Sequence, residues 1–284
     1  MSNLDKVKEL RKISGAGFKD CNNALKETNG NIEKSIELLR VKGISKATKK
    51  MSRVANEGLI SIFTNETSSS IIEINCETDF VAKNEDFIKF VKEISKINNL
   101  VLSDLEKINN YKMKNGETVD NNLINLISKI GEKITIGRMS TIHQENNTKN
   151  YSYMHSVVKD NLSKLGVIVK IKAKAINNEL DIFGKQLSMH IAASNPLAIN
   201  ADKIDNDILE KEKKLIAEEL LNSGKPQNIV DKISNGKISK FKEDNSLLTQ
   251  KWVMDPTKKV KDILSENKDN KVEIISFHRI KIGE

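Results

Sequence analysis

The sequence predicts an α+β protein: an N-terminal bundle of three helices, two related α+β core lobes with antiparallel sheets, and an antiparallel helical hairpin, a short coiled coil, inserted in the second lobe. Three observations carry this. Apolar residues recur at helical spacing over the first fifty residues, the period switches to two near residue 57, and paired strands followed by a helix occur twice. The expected boundaries are 1–53 for the helical domain and its linker, 54–140 for the first lobe, 141–198 with 246–284 for the second, and 199–245 for the hairpin.

The first helix places Leu4, Val7, Leu10 and Ile13 on one face, and SGAG at 14–17 ends it. A second runs through Phe18, Cys21, Ala24 and Leu25 to Asn29-Gly30. The third carries Ile32, Ile36 and Leu39, and the spacing ends it near Gly43, leaving KATKK at 46–50 as an exposed linker. LISIF at 59–63 and IIEI at 71–74, with the turn-rich NETSSS between them, read as a β-hairpin. FIKFVKEI from Phe87 is helical, with Asn84 as N-cap and Glu85 and Asp86 at the positive end of its dipole. LINLI at 123–127 is helical and ITIGRMS at 134–140 a strand. YSYMHSV and GVIVKI then flank a turn at Asp160-Asn161, before a helix from Leu180 to Ala193. Two charged helices, 205–222 and 228–242, flank Ser223-Gly224-Lys225-Pro226, and VEIISF at 272–277 returns to strand character at a sheet edge.

The chain has 284 residues, 38% hydrophobic and 30% charged, with a net charge of +8. No apolar run approaches the roughly 18 residues of a membrane span, and MSNLDKVKEL has no apolar signal core, so a cytoplasmic location is expected. Cys21 and Cys76 lack metal-ligand spacing, and His143, His155, His190 and His278 form no HExxH; neither a cofactor nor a metal site is expected. No GxxxxGK[ST] loop and no GxSxG elbow is present, which weighs against direct nucleotide binding and against an enzyme. The positive charge suits nucleic acid in sum but not in kind. Arginine occurs only at Arg11, Arg40, Arg53, Arg138 and Arg279, and aromatic residues make up 4% of the chain, whereas phosphate recognition favours arginine and base stacking needs rings. A lysine-rich surface facing an acidic protein fits better; a lysine-rich RNA-binding protein associated with ribosome or tRNA is the alternative.

The segment NCETDFVAKNEDF, 75–87, stands out as a strand-to-helix connection that carries an acid beside a phenylalanine. Residue type alone would send Phe80 inward, since most phenylalanines are buried.

This segment, together with VKELR at 7–11, SGAGFKDC at 14–21, KIGEKI at 129–134, MHIAA at 189–193, GKP at 224–226, WVMDP at 252–256 and FHR at 277–279, resembles the bacterial elongation factor Ts family, in the family's order and across the whole chain. The resemblance implies a guanine-nucleotide exchange factor that binds elongation factor Tu in its GDP-bound and nucleotide-free states and makes or breaks no covalent bond. It assigns the disturbance of the partner's Mg²⁺ and phosphate sites to Thr78, Asp79, Phe80 and Val81, with Phe80 as a wedge that either points outward in the free chain or swings out on meeting the partner. It likens the N-terminal bundle to a ubiquitin-associated (UBA-like) domain that docks on the partner, and it makes Lys19, Met189 and His190 secondary contacts. After Asp20-Cys21 the family has lysines where this chain has Asn22-Asn23, which implies weaker docking or reliance on Lys19 and Lys26.

Overall fold

The computed structural model describes residues 2–14, 16–221, 226–266 and 268–284. Gly15 and the residues 222–225 expected to turn between the two charged helices lie outside them. The chain forms two compact units, Met1–His143 with Met154–Gly166 and Ile280–Glu284, and Gln144–Tyr153 with Val167–Arg279.

In the first unit, helices α1 (Asn3–Ser14), α2 (Phe18–Glu27) and α3 (Ile32–Lys50) enclose Val7, Leu10, Cys21, Ala24 and Leu25. Asn31 caps α3 by accepting from the Lys34 amide. The third helix does not stop at Gly43: KATKK is its last part, and Ala47 is buried. Glycine signals a helix end when its freedom is used for a left-handed cap, but Gly43 is used for contact. A Cβ there would sit 3.0 Å from the Ser128 hydroxyl, so its bare backbone admits the neighbouring helix of residues Val119–Ile130, and the helix continues.

Strands β1 (Glu57–Thr64) and β2 (Ser68–Cys76) form the expected hairpin. Its turn is shorter than the polar run suggests. The Asn65 carboxamide accepts from the amides of Thr67 and Ser68, closing the reversal in three residues, so Ser68, Ser69 and Ser70 join the strand and are buried. After β2 come α4 (Asp79–Ala82), α5 (Glu85–Leu100), α6 (Leu105–Asn110), α7 (Val119–Ile130) and β3 (Ile134–His143). β3 pairs antiparallel with β2 from Ser68↔His143 to Cys76↔Ile134. The core between this sheet and α5 gathers Leu59, Ile72, Ile74, Phe87, Val91 and Ile94. Side chains at i, i+3, i+4 and i+7 of α5 share the face turned to the sheet, as the amphipathic spacing requires.

β4 (Thr148–Lys159) and β5 (Leu162–Lys172) follow, and Leu162 and Ser163 of β5 pair with Ser61 and Ile60 of β1. In the second unit α8 (Asn178–Ser194) is capped by Asn177 and packs Gly184 against the Tyr151 ring. Two further helices, α9 (Asn206–Leu221) and α10 (Gln227–Asn245), pack on each other, with Lys237 paired to Glu219 at 2.5 Å. Ala198, Ile204, Leu209, Ile208 and Phe241 form a small cluster beneath them. A short ribbon of β6 (Lys251–Trp252) and β7 (Asp255–Lys259), helix α11 (Val260–Glu266) and strand β8 (Glu273–Lys281) close the chain, and β8 pairs with β5.

Candidate partner-binding loop

The connection between β2 and α5 is built from two helix caps in succession. Thr78 is extended, at φ −128° and ψ 157°, and its hydroxyl accepts from the Val81 amide at 3.5 Å, starting the single turn α4. Lys83 ends that turn, and the Asn84 carboxamide accepts from the amides of Asp86 and Phe87 at 2.9 and 3.3 Å, starting α5. Consecutive residues of a helical turn point about 100° apart, so one turn cannot bury all its side chains. Val81 and Ala82 take the inner face at 6% and 1% exposure, and Phe80 stands outside at 79%. Leaving a phenylalanine in water forfeits about 1.5–3 kcal/mol of burial. Phe80 therefore departs from what its residue type alone would favour.

The polar neighbours brace the turn. Glu132, in the sharp link between α7 and β3, accepts from the Thr78 amide at 3.0 Å and from the Thr78 hydroxyl at 2.8 Å. Glu77 accepts from the Lys133 amide at 2.5 Å and pairs with Arg53 at 3.3 Å. The Lys133 amide, followed by Arg53, holds the Glu77 carboxyl below its usual range even against the small cost of burial. The Cys76 thiol, buried beneath the loop, donates to the Thr78 carbonyl at 3.2 Å. Burial pushes it up to about 12, which makes it an unreactive neutral group at neutral pH. Asp79 pairs with Lys83 at 2.8 Å along the exposed side, and that hydrogen bond lowers its carboxyl.

The structure separates the remaining expected contacts. Lys19 is exposed on α2 next to Phe18, itself 49% exposed, while Asp20 pairs with Lys46 at 2.9 Å. Asn23 is exposed and Asn22 half-buried. In the second unit Met189 is 39% exposed, but the His190 side chain is fully buried. The imidazole stacks on Trp252, centroids 5.2 Å apart, and Trp252 stacks on Phe183 at 5.9 Å. The Val253 amide donates to Nδ1 at 3.3 Å, so Nε2 carries the proton and donates to Gln250 Oε1 at 3.1 Å. Both nitrogens are used and burial lowers the pKa, which leaves a neutral ring. Direct contact through His190, expected from the resemblance, is corrected: with both nitrogens committed inside its own core, it holds Trp252 and the backbone before Met254. Among residues not singled out in the sequence, Glu132, Glu77, Arg53 and Gln250 matter most here. The one signal for Glu132 was its place directly after a glycine at a helix end and before a strand.

Among the described residues no group of three or more His, Cys, Asp or Glu side chains is placed to hold a metal ion, and no helix is long and apolar enough to cross a membrane. A family model described as Elongation factor TS matches residues 77–284, a span that opens one residue before Thr78. Curated relatives named elongation factor Ts match over nearly the full length. That of Allorhizobium ampelinum is 39% identical over 282 residues, 98% of this chain and 91% of the relative. That of Hydrogenovibrio crunogenus is 40% identical over 284 residues, 98% of this chain and 90% of the relative. The chain belongs to the elongation factor Ts family, a family of nucleotide exchange factors for elongation factor Tu in translation elongation.

Proposed function

We propose that this chain speeds GDP release from elongation factor Tu by pressing the Thr78–Val81 turn into the partner's GTPase domain. The observation that carries the reading is Phe80, an aromatic 79% exposed on a turn whose flanking residues are anchored inward. A stiff ring with few rotamers to freeze is the side chain best suited to wedge between packed helices. Asp79 holds the displaced elements from the exposed side of the same turn, and Val81 serves from within as the turn's apolar anchor. Displacement loosens the partner's Mg²⁺ and phosphate-binding groups, and removing charge compensation from a diphosphate costs nucleotide affinity. By linkage, nucleotide and exchange factor weaken each other by one and the same factor, so binding is tighter to the nucleotide-free partner than to the GDP form. The factor itself neither binds nucleotide nor breaks a bond.

In this reading residues 1–53 are a UBA-like docking domain whose third helix extends to Lys50, with Lys19 and Lys26 on its contact side. Residues 54–140, and 141–198 with 246–284, are the two lobes. Residues 199–245 are an inserted coiled-coil hairpin. The buried cluster shared by the three N-terminal helices and the packing of α9 on α10 support the first and last of these parts. Met189, Val253 and Met254, each about two-fifths exposed over the buried His190–Trp252 pair, support a secondary contact on the second unit.

The test is release of fluorescent GDP from preloaded elongation factor Tu. The wild-type chain accelerates it, and Phe80→Ala loses the acceleration by about 30-fold or more, as for an interface residue worth at least ~2 kcal/mol, with an unchanged thermal midpoint. Unchanged release with the wild type sinks the reading.

A further inference from the structure

We propose that Glu132 is the positioning residue of the Phe80 turn, acting through Thr78; the proposal rests on the exchange reading above. The ladder between β2 and β3 ends at Cys76↔Ile134. Beyond that pair no ladder rung joins the two segments among the described residues, yet two carboxylates carry the connection further. Glu132 takes the Thr78 amide and hydroxyl at 3.0 and 2.8 Å, and Glu77 takes the Lys133 amide at 2.5 Å. The exchange is reciprocal. Each strand extension lends a side chain to the other's backbone, and together they stand in for two missing rungs.

Thr78 is where this brace meets the wedge. Its hydroxyl donates to Glu132 while its lone pair caps α4 at the amide of Val81, the residue directly after Phe80. A hydroxyl fixed as donor on one side is aimed as acceptor on the other. Gly131, at φ 89°, caps α7 in the left-handed region and reverses the chain just before Glu132. Lys50, from the end of α3, donates to the Gly131 carbonyl, and the Lys133 ammonium donates to the Arg53 carbonyl at 2.8 Å. The Glu132 carboxylate is thus held by a turn that is itself tied at two points. Without it, the Thr78 side chain keeps only a long cap bond and its amide loses its acceptor, and Phe80 samples orientations that must be frozen again on binding.

The experiment is a double-mutant cycle read in affinity for nucleotide-free elongation factor Tu and in kcat/KM for GDP release. Glu132→Ala lowers both about tenfold, because two hydrogen bonds to a charged group are lost. In a Phe80→Ala background the same change has almost no further effect, a non-additivity that general destabilisation does not produce. Glu132→Gln, which keeps one acceptor and offers a donor to the Thr78 oxygen, recovers most of the loss. Additive losses, or no loss in Glu132→Ala, overturn the proposal. If the wild type fails to accelerate GDP release at all, the exchange reading falls and amide hydrogen exchange decides this one. Faster exchange at Thr78 and Val81 in Glu132→Ala upholds the brace, and unchanged exchange overturns it.

Discussion

A single residue shows how context redirects composition. His190 lies in the segment MHIAA, where a histidine between apolar neighbours could be a surface ligand or a core group. Its two hydrogen bonds and its stack on Trp252 make it the second. The energetic consequence has a sign. Burial lowers its folded-state pKa from the ordinary 6.5, so the folded protein takes up the proton less readily than the unfolded chain. Stability is complete above 6.5 and declines as the pH falls from there through the folded value. Thermal unfolding followed from pH 8 to pH 5 will show a falling midpoint for the wild type and a shallower fall for His190→Gln. Some slope persists in the variant, because His278 is also lowered by burial.

At the scale of elements, α3 is the instructive case. Its sequence suggests a stop at Gly43 because glycine costs a helix about 1 kcal/mol relative to alanine. The structure uses that glycine for approach to Ser128 and Ile124 of α7. Gly43→Leu will therefore destabilise the protein by about 1–3 kcal/mol, the usual cost of overpacking, even though leucine is the better helix former. A denaturation curve with a raised midpoint would contradict it. The β1–β2 hairpin, by contrast, is legible from period-two alternation alone, and so is α5 from Phe87, Val91 and Ile94. Thr78 and Asn84 are both cap residues in kind, but only Asn84 stands out in the sequence, because α4 is one turn long and has no periodicity to detect. The short β6–β7 ribbon and α11 escape for the same reason. Glu132 escapes for a different one. Its partner is 54 residues away, and nothing local in KIGEKI says which backbone its carboxylate will meet. The outward setting of Phe80 does not follow from residue type, which favours burial, and the resemblance leaves the orientation in the free chain open.

Across the whole molecule, charge governs behaviour at long range. A net charge of +8 carried almost wholly by lysine favours fast encounter with an acidic partner more than tight phosphate recognition. The association rate with elongation factor Tu will fall as sodium chloride is raised from about 50 to about 500 mM, while the dissociation rate changes little, since screening acts on encounter rather than on a desolvated contact. Stopped-flow mixing separates the two rates. Salt-sensitive binding to tRNA with no effect on nucleotide release would instead favour the RNA-binding alternative.

The tandem caps at Thr78 and Asn84 bear on where time is spent. A turn whose hydrogen bonds are complete before any encounter has no folding step left to perform on contact. Under the proposed insertion, whatever slow rearrangement precedes nucleotide escape takes place in the partner. The activation enthalpy of exchange should accordingly belong to the target, and be shared by any factor that offers the same ready-set ring.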